Sequence, residues 1–409
     1  MTSEWATYQL SEVVSLMTGK LDSNAATESG AYPFFTCSPT TLSINNYAFD
    51  TEAILLAGNN ANGIFPIKYF KGKFNAYQRT YVIEPLNTKE VSCKFLYYAI
   101  SDLIGRLQEL SIGSATKFLT KTILNNLQVK LPRIEEQMRI EALLSSIDDR
   151  ITLLRETNKT LEAIAQAIFK SWFVDFDPVR AKMAGRQPES MDEATAALFP
   201  DSFEESELGL VPKGWRGQQL DQIAEYLNGL ALQKYPPTGI NDLPVIKIAQ
   251  LRKGDTLGSD KASREIKSEY IIQDGDVLFS WSGSLEVEVW CGGEGALNQH
   301  LFKVTSRTFP KWLYLYATKL FLGEFRKIAE SKATTMGHIQ RRHLSDAKLA
   351  LPDNVLISKL SEVFEPLLDR YISNSLQART LVSIRDTLLP RLISGQLRLP
   401  EAQEQIENA

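Results

Sequence analysis

Histidine and cysteine are nearly missing from this chain, three of each in 409 residues. Cys37, Cys93 and Cys291 are scattered and odd in number. They argue against a disulfide framework and fit a reducing, cytoplasmic setting. His338 and His343 have no Cys or Glu at zinc-ligand spacing, so no metal is expected. No run approaches the roughly 18 apolar residues of a membrane helix, which leaves no role for a membrane. The opening MTSEWATYQLSEVV has no basic stretch followed by an apolar one, and no signal peptide is expected. There is no G-x-x-x-x-G-K-[ST] loop and no glycine-rich nucleotide fingerprint. ATP-driven work is therefore not encoded here, and no cofactor is expected. The net charge is −4. That sign disfavours binding nucleic acid with the whole surface but allows a local basic groove.

Two acidic stretches imitate chemistry. Asp255 with Glu265 and Lys267 loosely resembles a nuclease triad, at a spacing that arises often by chance. The run FKSWFVDFDP (169–178) ends in Asp177-Pro178, part of the D/N-P-P-Y/F loop of adenine-N6 methyltransferases. The second proline is missing, and Val179 stands where an aromatic ring would stack on a flipped base. Phe169, Trp172, Phe173 and Phe176 lie at helical spacing, so the run reads as a structural joint that ends a long helix.

What the chain does have is length, 44% hydrophobic and 23% charged residues, and a repeat. At 409 residues it is too long for one core, so two or three domains are expected. Leu131-Pro132 recurs as Leu351-Pro352, Asp149-Arg150 as Asp369-Arg370, and Thr160-Leu161 as Thr380-Leu381, all at an offset of 220. Trp5 and Gln9-Leu10 recur as Trp215 and Gln219-Leu220, and NAYQRTYVI (75–83) resembles ALNQHLFKV (296–304). The shared order implies a duplicated unit, a globular part followed by a long helix.

In the first helix Ile140, Ile147, Leu154, Leu161 and Ile168 recur by sevens. Leu144, Ile151, Asn158, Ala165 and Trp172 lie four residues after each. Such alternation is a coiled-coil seam, with Asn158 as its one polar member. The second helix repeats the scheme from Leu360 and Phe364 to Leu388 and Leu392, interrupted by Asn374 and Arg385. Pro366 and Pro390 predict local kinks, and Ser394-Gly395 predicts its end. The two seams are expected to pair with each other, antiparallel, with the globular parts at opposite ends. Those parts carry short strands such as AILLAG (53–58), TYVIEP (80–85), PVIKIAQL (244–251) and DVLFSWSG (276–283), with helices near 94–108 and 310–329. The class is α+β.

Taken together, PRIEEQMRIEALLSSIDDRI with LEAIAQAIFKSWFVDFDPVRAK, SELGLVPKGW (206–215), GDVLFSWSG, GALNQHLF and LLPRLISGQL (388–397) resemble the specificity subunits of type I restriction-modification systems. The resemblance spans essentially the whole chain. It implies target-recognition domains at 1–131 and 212–351. It places spacer helices at 132–178, including the aromatic joint, and at 352–397, with a polar, acid-rich connector at 179–211 and a tail at 398–409. It further implies a subunit that catalyses nothing itself. Each domain would read half of a bipartite sequence in double-stranded DNA. Two modification subunits would bring the adenine-N6 methyltransferase, and restriction subunits the ATP-dependent motor and nuclease. Phe169, Trp172, Phe173 and Phe176 would then support the partner-subunit interface.

Base reading needs donors and acceptors, and backbone holding needs cations, hydroxyls and amides. In the first domain the candidates are Asn59, Asn60 and Asn62; Lys71, Lys73, Tyr77, Gln78 and Arg79; and Ser114, Thr116, Lys117 and Lys121. In the second they are Trp281, Ser282 and Ser284; Asn298, Gln299 and His300; and Lys332, Thr334, Thr335, His338, Gln340, Arg341 and Arg342. Gln78 and Gln299 hold matching repeat positions and could equally be structural. Trp281 could be core or could stack against sugar. A rival reading keeps the coiled coil as the whole function, a scaffold for proteins without sequence-specific DNA reading.

Overall fold

The computed structural model describes residues 5–60, 63, 65–113, 116–189, 191–331 and 337–407. The chain divides into two compact units, Met1–Ile151 with Leu381–Ala409, and Thr152–Thr380. Two helices of 40 residues, α1 (Ile134–Phe173) and α2 (Asn354–Ile393), each contribute to both units.

The first unit is built on a six-stranded sheet in which Phe49–Ala57 is one of the two central strands. Alternation along a strand sends neighbouring side chains to opposite faces. Ile54 and Leu56 accordingly enter the larger core, while Ala53 and Leu55 enter a second one with Phe35, Phe74 and Val82. Burial on both faces explains why AILLA is continuously apolar. The helix Cys93–Asp102 covers the larger core, and the Ser92 side chain caps its start by accepting from Phe95 N.

The second unit divides the corresponding strands between two four-stranded sheets, and Val277–Ser280 lies inside one of them. Val277 and Phe279 enter one core and Leu278 another. The helix Lys311–Ser331 takes the covering role. The long strand Ile67–Ala76 of the first unit is matched here by two short ones, Val287–Val289 and Gly295–Leu297. The short ladders that close each unit also correspond. Ala6 pairs with Leu131, and Arg216 with Leu351, both antiparallel.

In the first unit, Ile140, Leu144, Ile147 and Ile151 of α1 share a core with Leu388 and Leu392 of α2. In the second, Ala165, Phe169 and Trp172 of α1 share a core with Leu356, Leu360 and Phe364. The start of one helix thus meets the end of the other, and the pairing is antiparallel. The polar seam positions are matched to each other. Asn158 Nδ2 donates to Tyr371 O (3.0 Å) and Ser375 Oγ (2.8 Å), while Asn374 Nδ2 donates to Asn158 Oδ1 (2.9 Å). Arg385 Nη1 meets Asp148 Oδ1 at 2.8 Å, and the Tyr98 hydroxyl donates to Asp148 Oδ2. Burial pushes that hydroxyl well above its ordinary range.

Replacing Asn374 by Ala removes a donor from a buried pair and leaves Asn158 Oδ1 unpaired. The expected loss is about 1–3 kcal/mol of stability, measurable by denaturant unfolding. An unchanged midpoint would show that the pair contributes nothing.

α2 runs without a break through Pro366 and Pro390, both exposed. It ends at Ile393, and Gly395 follows with φ +75°, a backbone shape that favours glycine. The connector carries more structure than its acidic composition suggests. It holds the helices Asp177–Met183 and Glu193–Leu198 and the hairpin Phe203–Ser206/Gly209–Pro212. Several of its carboxylates are used locally. Glu204 accepts from Gly214 N and Arg216 Nη1, and Glu207 from Lys348 Nζ.

Candidate nucleic-acid interface

Strand pairing assembles the candidate residues in each unit. In the first, the two-residue strands Asn59–Asn60 and Lys117–Phe118 pair, with Asn59 opposite Phe118 and Asn60 opposite Lys117. Arg79 joins them. Its carbonyl accepts from Gly58 N (2.7 Å), and its guanidinium lies over the Phe118 ring, 5.6 Å from the centroid. Cys37 Sγ lies 2.9 Å from Asn59 Oδ1 and donates to it. Residues separated by up to 81 positions in sequence are thereby gathered into one exposed or half-buried patch.

In the second unit, Ser282 bridges to His338. Ser282 Oγ is 3.0 Å from His300 Nδ1, and Gln299 Nε2 is 3.4 Å from His300 Nε2. Trp281 is half-buried. Its ring packs against Phe302, His300 and His338, and its Nε1 donates to Asn228 Oδ1 (2.9 Å). The indole is therefore part of the wall behind the two histidines.

The two patches share one backbone frame. Gly58 N donates to Arg79 O, as Trp281 N does to His300 O. Leu119 N donates to Gly58 O, as Ile339 N does to Trp281 O. Gln78 N donates to Leu21 O, as Gln299 N does to Leu230 O. A Cβ on Gly19 would lie 1.8 Å from Ala76 O, and one on Gly229 2.2 Å from Asn298 O. Only glycine admits this close passage of the backbone beside the turn.

Other candidates hold the frame or stand elsewhere. Lys121 Nζ donates to Leu16 O and Arg341 Nη2 to Tyr226 O, both at 3.2 Å, matching cations on matching carbonyls. The Gln78 side chain donates to Asp22 Oδ1 (2.5 Å). Tyr77 N donates to Phe35 O, and Asn298 N to Ile246 O. Asn298 is buried, and its Oδ1 accepts from His300 N. Lys71 pairs with Glu52 (3.2 Å), and Lys73 lies over the Tyr47 ring (4.7 Å). The Ser284 carbonyl accepts from Ser280 Oγ, and Gln340 N donates to His343 Nδ1. Thr116 is half-buried beside Lys117, and Arg342 is exposed. Asn62, Ser114, Lys332, Thr334 and Thr335 lie outside the described residues. Sequence reasoning passed over Phe118, Cys37 and Asn228. Each earns its place through a long-range contact that no local pattern signals.

A family model for the type I restriction modification DNA specificity domain matches residues 2–163. The EcoDI specificity subunit of Escherichia coli, a type I restriction enzyme subunit, is 27% identical over 99% of this chain and 90% of its own length. The chain is similar to type I restriction-modification specificity subunits over nearly its whole length. The HindI specificity subunit of Haemophilus influenzae is 25% identical over 77% of this chain and 80% of its own length. The crystal structure of the type I restriction-modification S subunit from M. genitalium matches the fold with a TM-score of 0.56 and 15% identity. That match covers 96% of this chain and 97% of the other.

The motif that imitates a methyltransferase loop is occupied with structure. Asp177 begins a helix with Pro178 next to it and accepts from Ser171 Oγ (2.7 Å), while Asp175 pairs with Lys170. Phe169, Trp172, Phe173 and Phe176 are all buried within the second unit. Phe169 stacks on Phe173, and Phe173 and Phe176 pack against Trp215. Asp255 pairs with Lys253 (3.1 Å). Among the described residues, no three of His, Cys, Asp and Glu are grouped as metal ligands, and no helix is long and apolar enough to cross a membrane.

Proposed function

We propose that this chain binds a bipartite sequence in double-stranded DNA and directs the catalytic subunits of a type I restriction-modification complex to it. The subunit itself is non-catalytic. The observation that carries this reading is the duplicated patch. Each unit presents short ladders on the same frame, and each frame bears different donors and acceptors. Target-recognition domains at 1–131 and 212–351 would use these patches, with α1 and α2 as the spacer. Lys71, Lys73 and Lys117, together with the hydroxyls and amides named above, suit phosphate and sugar contacts. Arg79, Asn59, Gln299 and His300 suit base edges.

Two adenine-N6 methyltransferase subunits would dock on the helical spacer, and the ATP-dependent restriction subunits would join them. The buried joint at Phe169–Phe176 would act here by fixing the shape of the surface above it. The working place would be the cytoplasm, where the DNA is.

Titrating the assembled methyltransferase complex with duplex DNA at several salt concentrations tests this reading. Log affinity should fall linearly with log salt, by about 0.9 per neutralised phosphate. Tight assembly of the subunits without salt-dependent DNA affinity would favour the scaffold reading instead.

A further inference from the structure

We infer that three positions in each unit choose the bases accepted there: Asn59, Arg79 and Phe118 in the first, Ser282, His300 and His338 in the second. The inference rests on the DNA-reading function proposed above and goes below the level of the domain. The shared frame separates residues that hold shape from residues that differ. Lys121 and Arg341 make the same bond in both units, and the backbone amides of Gln78 and Gln299 make the same bond. A group that performs the same structural task twice cannot explain two different half-sites. At the three chosen positions the frame is constant while the chemistry changes.

The chemistry divides into a reader, a platform and a positioner. Arg79 is exposed, and its guanidinium lies over the Phe118 ring, 5.6 Å from the centroid. The ring contact restrains the fork, which can then address a guanine edge with two parallel donors. His300 occupies the corresponding place with a smaller ring that can donate or accept. Its Nδ1 meets Ser282 Oγ and its Nε2 meets Gln299 Nε2, so the orientation of the half-buried ring is set from both sides. Ser282 is buried and acts only by positioning His300. Asn59 is held through Cys37 and lies opposite the platform residue, as Ser282 does. Trp281 backs the second platform, where the first unit has Gly58. A Cβ on Gly58 would stand 2.5 Å from Arg79 O, so that position cannot be exchanged. The other three can.

The test transplants the second set into the first: Asn59→Ser, Arg79→His and Phe118→His in the full chain, assembled with its methyltransferase subunits. Methylated adenines are then mapped across a genome. The expected motif changes in one half-site and keeps the other half. An unchanged motif overturns the inference while leaving DNA reading by the domains intact. Arg79→Lys serves as a second variant because it keeps the charge and loses the fork. It should relax preference at one base position by about 5- to 150-fold. A uniform loss across all sequences would make Arg79 a phosphate contact and overturn its assignment. Should the unaltered complex bind DNA without sequence preference, the function proposed above fails first, and the inference falls with it.

Discussion

Phe364→Ala lowers the stability of the Thr152–Thr380 unit by about 3–5 kcal/mol. Phe364 is fully buried at the centre of the aromatic joint. Its ring stacks on Trp312 with centroids 4.3 Å apart and planes 9° from parallel, and it meets Phe169, Trp172 and Tyr316 edge-on or tilted. Removing it opens a cavity that rigid rings cannot collapse to fill, which places the cost at the upper end of large-to-small changes. Such a loss is a large part of a typical domain's total. Trp172→Ala and Phe173→Ala should act in the same direction. Calorimetry should show one transition moving down by several degrees or more, and methyltransferase assembly should fail before base choice changes. A variant that assembles normally and alters only the recognised bases would refute the role of this cluster as a joint.

Adding one heptad to both α1 and α2, in register with the seam, changes the number of base pairs between the half-sites and leaves the half-site bases alone. Seven residues lengthen a helix by about 10.5 Å, a few base-pair steps of duplex. A whole heptad keeps the seam facing its partner, so the pairing survives. Adding it to one helix only should shift the Asn158–Asn374 pair out of register and cost stability. Mapped methylation with an unchanged spacer would sink the idea that these helices measure distance.

The seam and the duplication were legible because both are written in local order. Spacing by sevens puts Ile140, Leu144, Ile147 and Ile151 on one face, and all four are buried. Asn158 stood out as the polar exception, but its match with Asn374 could be known only once two distant helices were set side by side. The patch was half legible. Composition picked out Asn59, Arg79, Lys117, Ser282 and His300. It could not pair Asn59 with Phe118, because strand register is a long-range property set by the sheet. Nor could it separate Lys121 and Arg341 from the other cations, since their carbonyl partners lie 105 and 115 residues away. The structure within the connector was hidden for a related reason. Its acids Asp201, Glu205 and Glu207 are exposed, but composition alone does not show that Phe199 is buried or that Glu204 holds a turn.

The most direct measurement is a map of methylated adenines in cells carrying the intact system, repeated with residues 212–351 exchanged for an unrelated recognition domain. Two independent readers on one spacer predict a bipartite motif in which one half changes and the other stays. A motif that does not change at all would contradict that claim, and the helices would then remain as a scaffold whose globular parts choose no sequence.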